Sequence, residues 1–404
     1  MKILHSSDWH LGQRFFDETR LEEQKSFLDY LLNLIKTENI QALIIAGDIF
    51  DTANPSRDAE KLYYDFLLQC SKFNSFQIII IAGNHDSASH LEAPKRLLES
   101  LNIYVIGALP DDIDELLIPL GTDKSNPKAW LAAVPFLRDR DVRQAVIGEQ
   151  FDDMQSKTTQ GIINCYKNIS DEIQNNIKSD TDIPIIATGH LSLLGSTISE
   201  SERSIHIGNL GSISDKRLSD CCFDYLALGH LHSPQSVGKS NKIFYSGSPI
   251  PLSFSEIKPK EIQLITIKKN KLHHRAIQLP TFRRLIKLRG NYAEINAKLI
   301  SLGVTKTELI PWVEISITQT DITATEQNQL RDIAQKNNAL ILKIGLDIKQ
   351  QKAIPQIENN INLQELSPQQ VFQHKLSSIE TELNTEELLN CFNKILEDIQ
   401  NENS

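Results

Sequence analysis

The apolar positions in the first hundred residues follow two alternating spacings. Short, almost wholly apolar runs occur at residues 3–5, 42–46 and 77–82, whereas residues 20–36 and 57–70 carry Leu, Phe and Ile at helical intervals. Strands without polar alternation, separated by amphipathic helices, are typical of a sheet that is covered on both faces. This pattern predicts an α/β fold.

Similar strands return after an intervening polar region. Residues 111–123 are acidic and are predicted to form a loop, and residues 148–182 are predicted to form a polar helical excursion. Further strands are predicted at residues 183–188, 225–228, 242–246 and 261–267. Several strands of both sets run directly into polar loops. Because ligands of open α/β sheets gather beyond the carboxyl ends of the strands, these loops predict one common site.

The pattern changes near Pro280, and 404 residues exceed what one hydrophobic core usually serves. Residues 1–275 are predicted to form the main domain. Residues 280–348 contain three strands (RRLIKL, WVEISI, ALILKI) separated by two helical stretches, which predicts a small α+β module. Residues 350–404 are polar, with Leu and Phe at helical intervals, and are predicted to form a helical tail.

Composition excludes several classes of protein. The chain is 40% apolar and 23% charged, as in ordinary globular proteins, and no apolar run approaches the roughly 20 residues that span a bilayer. The first residues, MKILHSSDWH, lack a signal-peptide pattern, and the five cysteines form no CxxC pair, so we expect a cytoplasmic protein. With 42 Lys+Arg against 52 Asp+Glu, the net charge of −10 by itself argues against a nucleic-acid partner.

Side chains that can bind metals follow five of the predicted strands. They are Asp8 and His10, Asp48, Asn84 with the adjacent His85, His190, and His230 with His232. In D-x-H and H-x-H, the two side chains point to the same side. A single such motif occurs by chance, and a lone strand-end histidine is usually structural, but five in order are not explained that way. Seven mixed O/N ligands are too many for tetrahedral zinc and suit two divalent ions that share a carboxylate.

The series D-x-H, GD, GNH-D, GH and GHxH resembles that of the calcineurin-like metallophosphoesterases, from residue 1 to about 270. The longer strings SSDWHLGQ, GDIFDTANPS, AGNHDS, ALGHLHSPQ and YSGSPIPLSFSE resemble, more narrowly, the bacterial SbcD-type nuclease subunits. This resemblance implies a four-layer α-β-β-α sandwich with a small α+β capping domain and a helical C-terminal tail. It also implies two divalent metal ions, with Mn²⁺ as the expected ion.

The resemblance assigns roles by position. One metal would be held by Asp8, His10 and His232, and the other by Asn84, His190 and His230, with Asp48 bridging. His85 would stabilise the transition state or protonate the leaving oxygen, a role suited to imidazole, although it could also pack the loop. Asp51 and Asp86 would orient the ligand imidazoles, unless they are solvated or capping carboxylates.

The charges are distributed unevenly. Residues 255–290 hold ten Lys and Arg against two Glu, which predicts a DNA-contacting groove beside the site, although a solvated strand pair would look the same. The candidate DNA contacts are Lys258, Lys260, Lys268, Lys269, Arg283 and Arg284. Residues 351–404 hold nine acids against three Lys, so they are predicted to dock a protein partner or to form a solvated tail.

The resemblance implies an SMC-like ATPase partner, assembled as two of each chain, and a role in DNA repair, recombination and replication. The implied activity is 3′–5′ exonuclease action on duplex ends and endonuclease action on single strands or hairpins. This chain is not expected to bind ATP, because Gly238-Lys239-Ser240 lacks the earlier glycine of a P-loop. A phosphodiesterase for small molecules or phosphoproteins, and a DNA-tethering scaffold with an inactive site, are the alternatives.

Overall fold

The computed structural model describes residues 1–144, 151–178, 182–197, 213–256, 258–302, 309–319, 322–347 and 388. The strands are β1 (Lys2–Ser6), β2 (Arg14–Phe15), β3 (Glu18–Thr19), β4 (Ala42–Ala46), β5 (Gln77–Ile81), β6 (Ile103–Ile106), β7 (Leu117–Leu120), β8 (Ala129–Ala132), β9 (Ile185–His190), β10 (Tyr225–Gly229), β11 (Gln235–Val237), β12 (Ile243–Tyr245), β13 (Glu261–Lys268), β14 (Lys271–Gln278), β15 (Leu285–Gly290), β16 (Trp312–Ile317) and β17 (Leu340–Leu346). The α-helices are α1 (Leu21–Thr37), α2 (Arg57–Cys70), α3 (Ala88–Glu92), α4 (Lys95–Glu99), α5 (Asp139–Val142), α6 (Phe151–Ile173), α7 (Asp215–Ser219), α8 (Tyr292–Ile300) and α9 (Ala324–Lys336). A 3₁₀ turn spans Ile113–Leu116, and a π-helical stretch, Gln174–Lys178, follows α6.

The first large sheet has the strand order β14-β13-β1-β4-β5-β6. Strands β1, β4, β5 and β6 are parallel, so their carboxyl ends lie at one edge. Strand β13 runs antiparallel to β1 and pairs Thr266 with Lys2 and Gln263 with His5. The hairpin between β13 and β14 therefore lies at the opposite edge, beyond the amino end of β1.

The second large sheet has the order β11-β12-β10-β9-β8-β7, in which β8, β9, β10 and β12 are parallel. The expected acidic loop at residues 111–123 is wrong in part, because Leu117–Leu120 form the edge strand β7. Its apolar residues alternate with partly exposed ones along four residues only, too few to stand out from the acidic residues before it. The helical excursion expected at 148–182 is present as α6 over its described residues.

The two sheets pack face to face between layers of helices. In β1, Ile3 belongs to the core between the sheets, whereas its neighbour Leu4 packs with Phe27 of α1 and Phe66 of α2 on the outer face. Consecutive strand residues point to opposite faces, so both must be apolar here. On the other side, α6 buries Tyr166 against the second sheet. The predicted four-layer α-β-β-α sandwich is confirmed.

The small module consists of β15, α8, β16, α9 and β17, with the three strands parallel in that order. Both helices begin at capping boxes, formed by Asn291 with Glu294 and by Thr323 with Glu326. Its apolar core contains Ile295, Leu299, Val313, Ile315 and Leu330. The helical tail predicted at residues 350–404 lies outside the described residues except for residue 388. None of the described helices combines the length and the apolar character that a membrane span requires.

Candidate metal centre

The two sheets deliver the predicted ligands to one place. Strands β1, β4 and β5 are adjacent and parallel, and the loops after them carry Asp8 with His10, Asp48, and Asn84. Strands β9 and β10 are also adjacent and parallel, and they end at His190 and just before His230. Parallel register therefore places all five loops at the same edge of the sandwich.

The backbone at this edge is forced into rarely used conformations. The φ angle is +54° at Asp8, +44° at His10, +51° at Asp48 and +96° at His230, all in the left-handed region. Each such residue costs on the order of 1–3 kcal/mol unless its surroundings hold it. The surroundings here are hydrogen bonds such as Asp8 N–H to Gly47 O (3.0 Å) and His10 N–H to Asp48 O (3.0 Å). The chain thus stores strain at the predicted ligands.

Two glycines make the close approach of the loops possible. A Cβ on Gly83 would collide with the carboxylate of Asp48, and a Cβ on Gly229 would collide with the carbonyl oxygen of Ala46. Loops that carry side chains at these two positions could not bring β4, β5 and β10 together at their ends.

The ligand atoms form two buried groups. The atoms of Asp8, His10 and His232 lie within 4.8 Å of one another, and so do those of Asp8, Asp48 and His190. The Oδ2 atom of Asp48 lies 3.6 Å from His10 Nε2 and 3.3 Å from His190 Nε2, between the two groups. Asn84 Oδ1 lies 2.9 Å from His190 Nε2, and the rings of His190 and His230 have their centroids 5.5 Å apart. The seven predicted ligands are therefore neighbours.

The donor set suits a cation. His190 Nδ1 donates to the carbonyl oxygen of Ala46 at 2.9 Å, so the neutral ring directs the Nε2 lone pair at the oxygens of Asn84 and Asp48. Three electron-rich atoms that converge without a proton repel one another. Burial lowers the pKa of His190, but the Asp48 carboxylate raises it to about 9, so without a metal that cation is a proton. A divalent ion fits the same position.

Other residues of the site also favour a bound cation. His10 is buried, and each of its ring nitrogens faces a carboxylate, with Nδ1 3.4 Å from Asp51 Oδ1 and Nε2 3.6 Å from Asp48 Oδ2. Burial raises the pKa of Asp48, yet the imidazoles of His190, His10 and His85 hold it well below its usual value. Burial, with His190 beside it, lowers the pKa of His230. An anionic carboxylate surrounded by inward-facing imidazoles, whose protons a metal ion can replace, suits divalent cations.

His85 lies at the open side of this group. Its backbone N–H donates to Asp48 Oδ1 (2.9 Å), and its Nδ1 lies 2.7 Å from the carbonyl oxygen of Asp51. Because a carbonyl only accepts, Nδ1 carries the proton, and Nε2 is the atom through which the ring exchanges a proton. The ring packs edge to face against His10, with centroids 4.8 Å apart. The side chain of Asp51 lies 3.4 Å from His10 Nδ1, as expected for a carboxylate that orients that ring.

Asp86 does not orient an imidazole in the way the sequence suggested. Its carboxylate accepts from the backbone N–H groups of Gly83 (2.8 Å), Ile49 (3.1 Å) and Phe50 (3.0 Å). It therefore joins the loop after β4 to the loop after β5. Burial, reinforced by Asp48, raises the pKa of Asp86 to about 6. The bonding of Asp86 to backbone N–H groups is the capping alternative of the sequence analysis, which the sequence left open because the position of an aspartate within GNHD does not distinguish a side-chain partner from a backbone one.

The predicted DNA contacts are mostly misplaced. Lys260 and Arg283 are each only 7% exposed and are bonded to buried carboxylates, so they cannot bind phosphate. Lys268 and Lys269 lie at the β13–β14 turn, on the order of 20 Å from the ligand loops, given the five residues of β1 at about 3.3 Å each. Two of the six predicted DNA contacts remain as candidates, the exposed Lys258 and the half-buried Arg284.

Two residues of the site were not predicted. Glu256 is buried, with Oε1 3.8 Å from His232 Nδ1, and Ser7 donates to Asp8 Oδ2 at 2.5 Å. Burial raises the pKa of Glu256, but His232 and Lys260 lower it to about 2. The only sequence signal for Glu256 is its i,i+4 spacing from a residue of opposite charge, Lys260.

Comparison with known families agrees with this geometry. Residues 1–234 match the family model described as calcineurin-like phosphoesterase, and residues 281–379 match the one described as the type 5 capsule protein repressor C-terminal domain. The chain therefore belongs to the calcineurin-like phosphoesterase family. A solved dimetal phosphatase from Danio rerio shows a distant likeness, with a TM-score of 0.43 and 12% identity over 69% of this chain and 96% of that one.

Curated relatives narrow the assignment. The SbcD subunit of the nuclease SbcCD from Escherichia coli (strain K12) is 32% identical over 380 residues, which is 93% of both chains. The protein of the same name from Rhodobacter capsulatus is 35% identical over 266 residues, or 64% of each chain. Within the phosphoesterases, this chain belongs to the SbcD family.

Proposed function

We propose that this chain is the metal-dependent nuclease subunit of an SbcCD-type complex and that it hydrolyses DNA phosphodiester bonds. The observation that carries the proposal is the pair of buried ligand groups that share Asp8, with Asp48 between His10 and His190. Strained backbone at four ligands is the kind of cost that a fold retains for function.

In this proposal, Asp8, His10 and His232 hold one divalent ion, Asn84, His190 and His230 hold the other, and Asp48 lies between them. Two ions held by these residues would lower the pKa of a water molecule and polarise the phosphoryl oxygens. The carbonyl oxygen of Ala46 fixes the tautomer of His190, and Asp51 fixes the ring of His10. Mn²⁺ is the proposed ion, since mixed carboxylate, amide and imidazole ligation suits it.

His85 is the proposed catalytic residue. Its Nδ1–H is held by the carbonyl oxygen of Asp51, so in the doubly protonated imidazolium form the second proton, on Nε2, would pass to the leaving oxygen of the scissile phosphodiester and leave the neutral ring protonated on Nδ1. The proposed polarity is 3′–5′ on duplex ends, with endonuclease action on single strands and hairpins. The proposed partner is the SbcC subunit that the name of the relatives implies, which we propose to be an SMC-like ATPase. The proposed complex contains two of each chain and acts in the cytoplasm in repair, recombination and replication.

The test is cleavage of end-labelled hairpin DNA by the full chain with Mn²⁺, with and without the ATPase subunit. His85→Ala is expected to slow cleavage by about 10²–10⁴-fold, the usual contribution of general acid catalysis, while DNA binding is retained. His273→Ala is the matched control, because this histidine is exposed on β14, away from the site.

Three outcomes would contradict parts of the proposal. Hydrolysis of bis(4-nitrophenyl) phosphate without any DNA cleavage would favour a small-molecule or phosphoprotein substrate. Wild-type cleavage by His85→Ala would remove the catalytic assignment. A protein that binds DNA but cleaves nothing with any divalent ion would be a scaffold.

A further inference from the structure

Lys260 is a buried cation next to the metal centre. Its Nζ donates to the carbonyl oxygen of His232 (2.9 Å), to Ser248 Oγ (2.8 Å) and to Glu256 Oε2 (2.5 Å). An ammonium group has three N–H donors, and each has a partner here. The side chain is therefore fully used inside the protein.

Glu256 approaches the same ligand from another direction. Its Oε2 accepts from Lys260 and from the backbone N–H of Leu252 (3.1 Å), while its Oε1 faces His232 Nδ1 at 3.8 Å. The pair thus contacts His232 twice, Lys260 through the main chain and Glu256 through the ring. Arg20 and Glu23 form another buried ion pair, and their hydrogen bonds go to other parts of the protein, such as Gln13 and the carbonyl oxygen of Pro251.

Stability alone does not account for a buried ion pair at this position. Desolvation of two charges offsets most of their attraction, and apolar residues of similar volume are often as stable or more stable. A histidine that binds a metal, in contrast, gains from a carboxylate that faces its other nitrogen, because this fixes the ring orientation and the tautomer.

We propose that Glu256 and Lys260 are positioning residues that hold His232 in the orientation required for metal binding. Glu256 fixes the ring, and Lys260 fixes the backbone of His232 and holds Glu256 in place. This inference rests on the proposed function, in which His232 is a metal ligand.

The test is calorimetric titration of Mn²⁺ into the metal-free full chain. Wild type is expected to bind two ions. Glu256→Gln and Lys260→Met are each expected to weaken one of the two sites by about 10–100-fold, the usual effect of losing a group that orients a ligand, and to leave the other unchanged. Lys260→Arg keeps the charge and the donors and is expected to restore most of the affinity.

Arg283→Met is the matched control, since it removes another buried cation, which pairs with Glu23 and not with a neighbour of His232. It is expected to lower Tm without changing Mn²⁺ affinity. If Glu256→Gln and Lys260→Met lower Tm but bind two ions as wild type does, the pair is purely structural and the inference is overturned. If one variant does not fold, the other and Lys260→Arg carry the same comparison.

His232→Ala separates this inference from the proposed function. If His232→Ala also binds two ions with wild-type affinity, the ligand assignment itself is wrong. If His232→Ala loses one ion while Glu256→Gln and Lys260→Met bind normally, the ligand assignment stands and only the positioning role is overturned.

Discussion

Glu23 is predicted to be the residue on which the attachment of the small module depends most. It is fully buried in α1 and accepts from two guanidinium groups at once, Arg20 (Nη2, 2.5 Å) and Arg283 (Nε, 2.7 Å). Arg283 comes from the start of the small module and also stacks on Trp312, with its Cζ 4.4 Å from the ring centroid. Glu23→Ala would leave two buried cations with their main counter-ion removed.

The loss of stability in Glu23→Ala depends on the hydrogen bonds that the two arginines keep. Removing one partner of a buried ion pair costs about 3–5 kcal/mol, because the other charge is left without compensation. Arg20 would keep the carbonyl oxygen of Pro251 (2.5 Å), and Arg283 would keep that of Ile310 (2.5 Å), which favours the lower end of this range. The unfolding entropy of about 2.1 cal/mol/K per residue gives about 0.7 kcal/mol/K for residues 1–346. The expected decrease in Tm is therefore about 4–7 °C.

The assay is thermal unfolding of the full chain by circular dichroism, with Asp29→Asn as the control. Asp29 is on the same helix and pairs with Lys25 at 2.8 Å, but both side chains are more than half exposed. Exposed i,i+4 pairs contribute about 0.3–0.5 kcal/mol, so this variant is expected to lose less than about 1 °C. A Glu23→Ala decrease below about 2 °C, half the smallest expected effect, would refute the assignment of Glu23 as the shared counter-ion.

Three further predictions concern the metal centre and the place at which DNA lies. Gly83→Ala places a Cβ against the carboxylate of Asp48 and is expected to abolish tight Mn²⁺ binding in calorimetry; two ions bound at wild-type affinity would contradict this. The Asp48 carboxylate raises the pKa of His190 to about 9, so below that pH a metal ion must displace a proton from His190. Mn²⁺ affinity is therefore expected to rise by up to about tenfold per pH unit from pH 7 to 9. The released proton is expected to give a binding heat that depends on the buffer. An affinity that stays constant over this range would disprove that coupling. Lys268→Ala with Lys269→Ala is expected to leave the cleavage rate on hairpin DNA within about twofold of wild type, whereas a loss of about tenfold would place substrate at the far edge of the first sheet.

The site was predictable from sequence where the information is local. A buried strand followed by Gly-Asp or Gly-His fixes both the face and the edge at which Asp48 and His190 appear. The side-chain alternation of D-x-H and H-x-H adds their direction. These features need only a few adjacent residues, and so the seven candidate ligands, which the structure brings together, could be named without knowing how the strands pair.

Features that depend on contacts between residues far apart in the sequence could not be predicted. Strand β13 lies antiparallel to β1, far away along the sequence, and this pairing alone moves Lys268 and Lys269 away from the site. Arg283 meets Glu23 in the same way, 260 positions apart. From sequence, a charged residue is expected to be exposed, and its burial can be inferred only when the residue that it pairs with is known.

The placement of the cations changes what the net charge of −10 means. Within residues 255–290, Lys260 and Arg283 neutralise Glu256 and Glu23 inside the protein and add no positive field at the surface. Exposed Lys258 and half-buried Arg284 are then what remains of the six predicted phosphate contacts on this side of the protein. The charge summed over a stretch of sequence therefore overstates the positive charge that the same stretch presents at the surface, because a buried cation is neutralised by the carboxylate it pairs with.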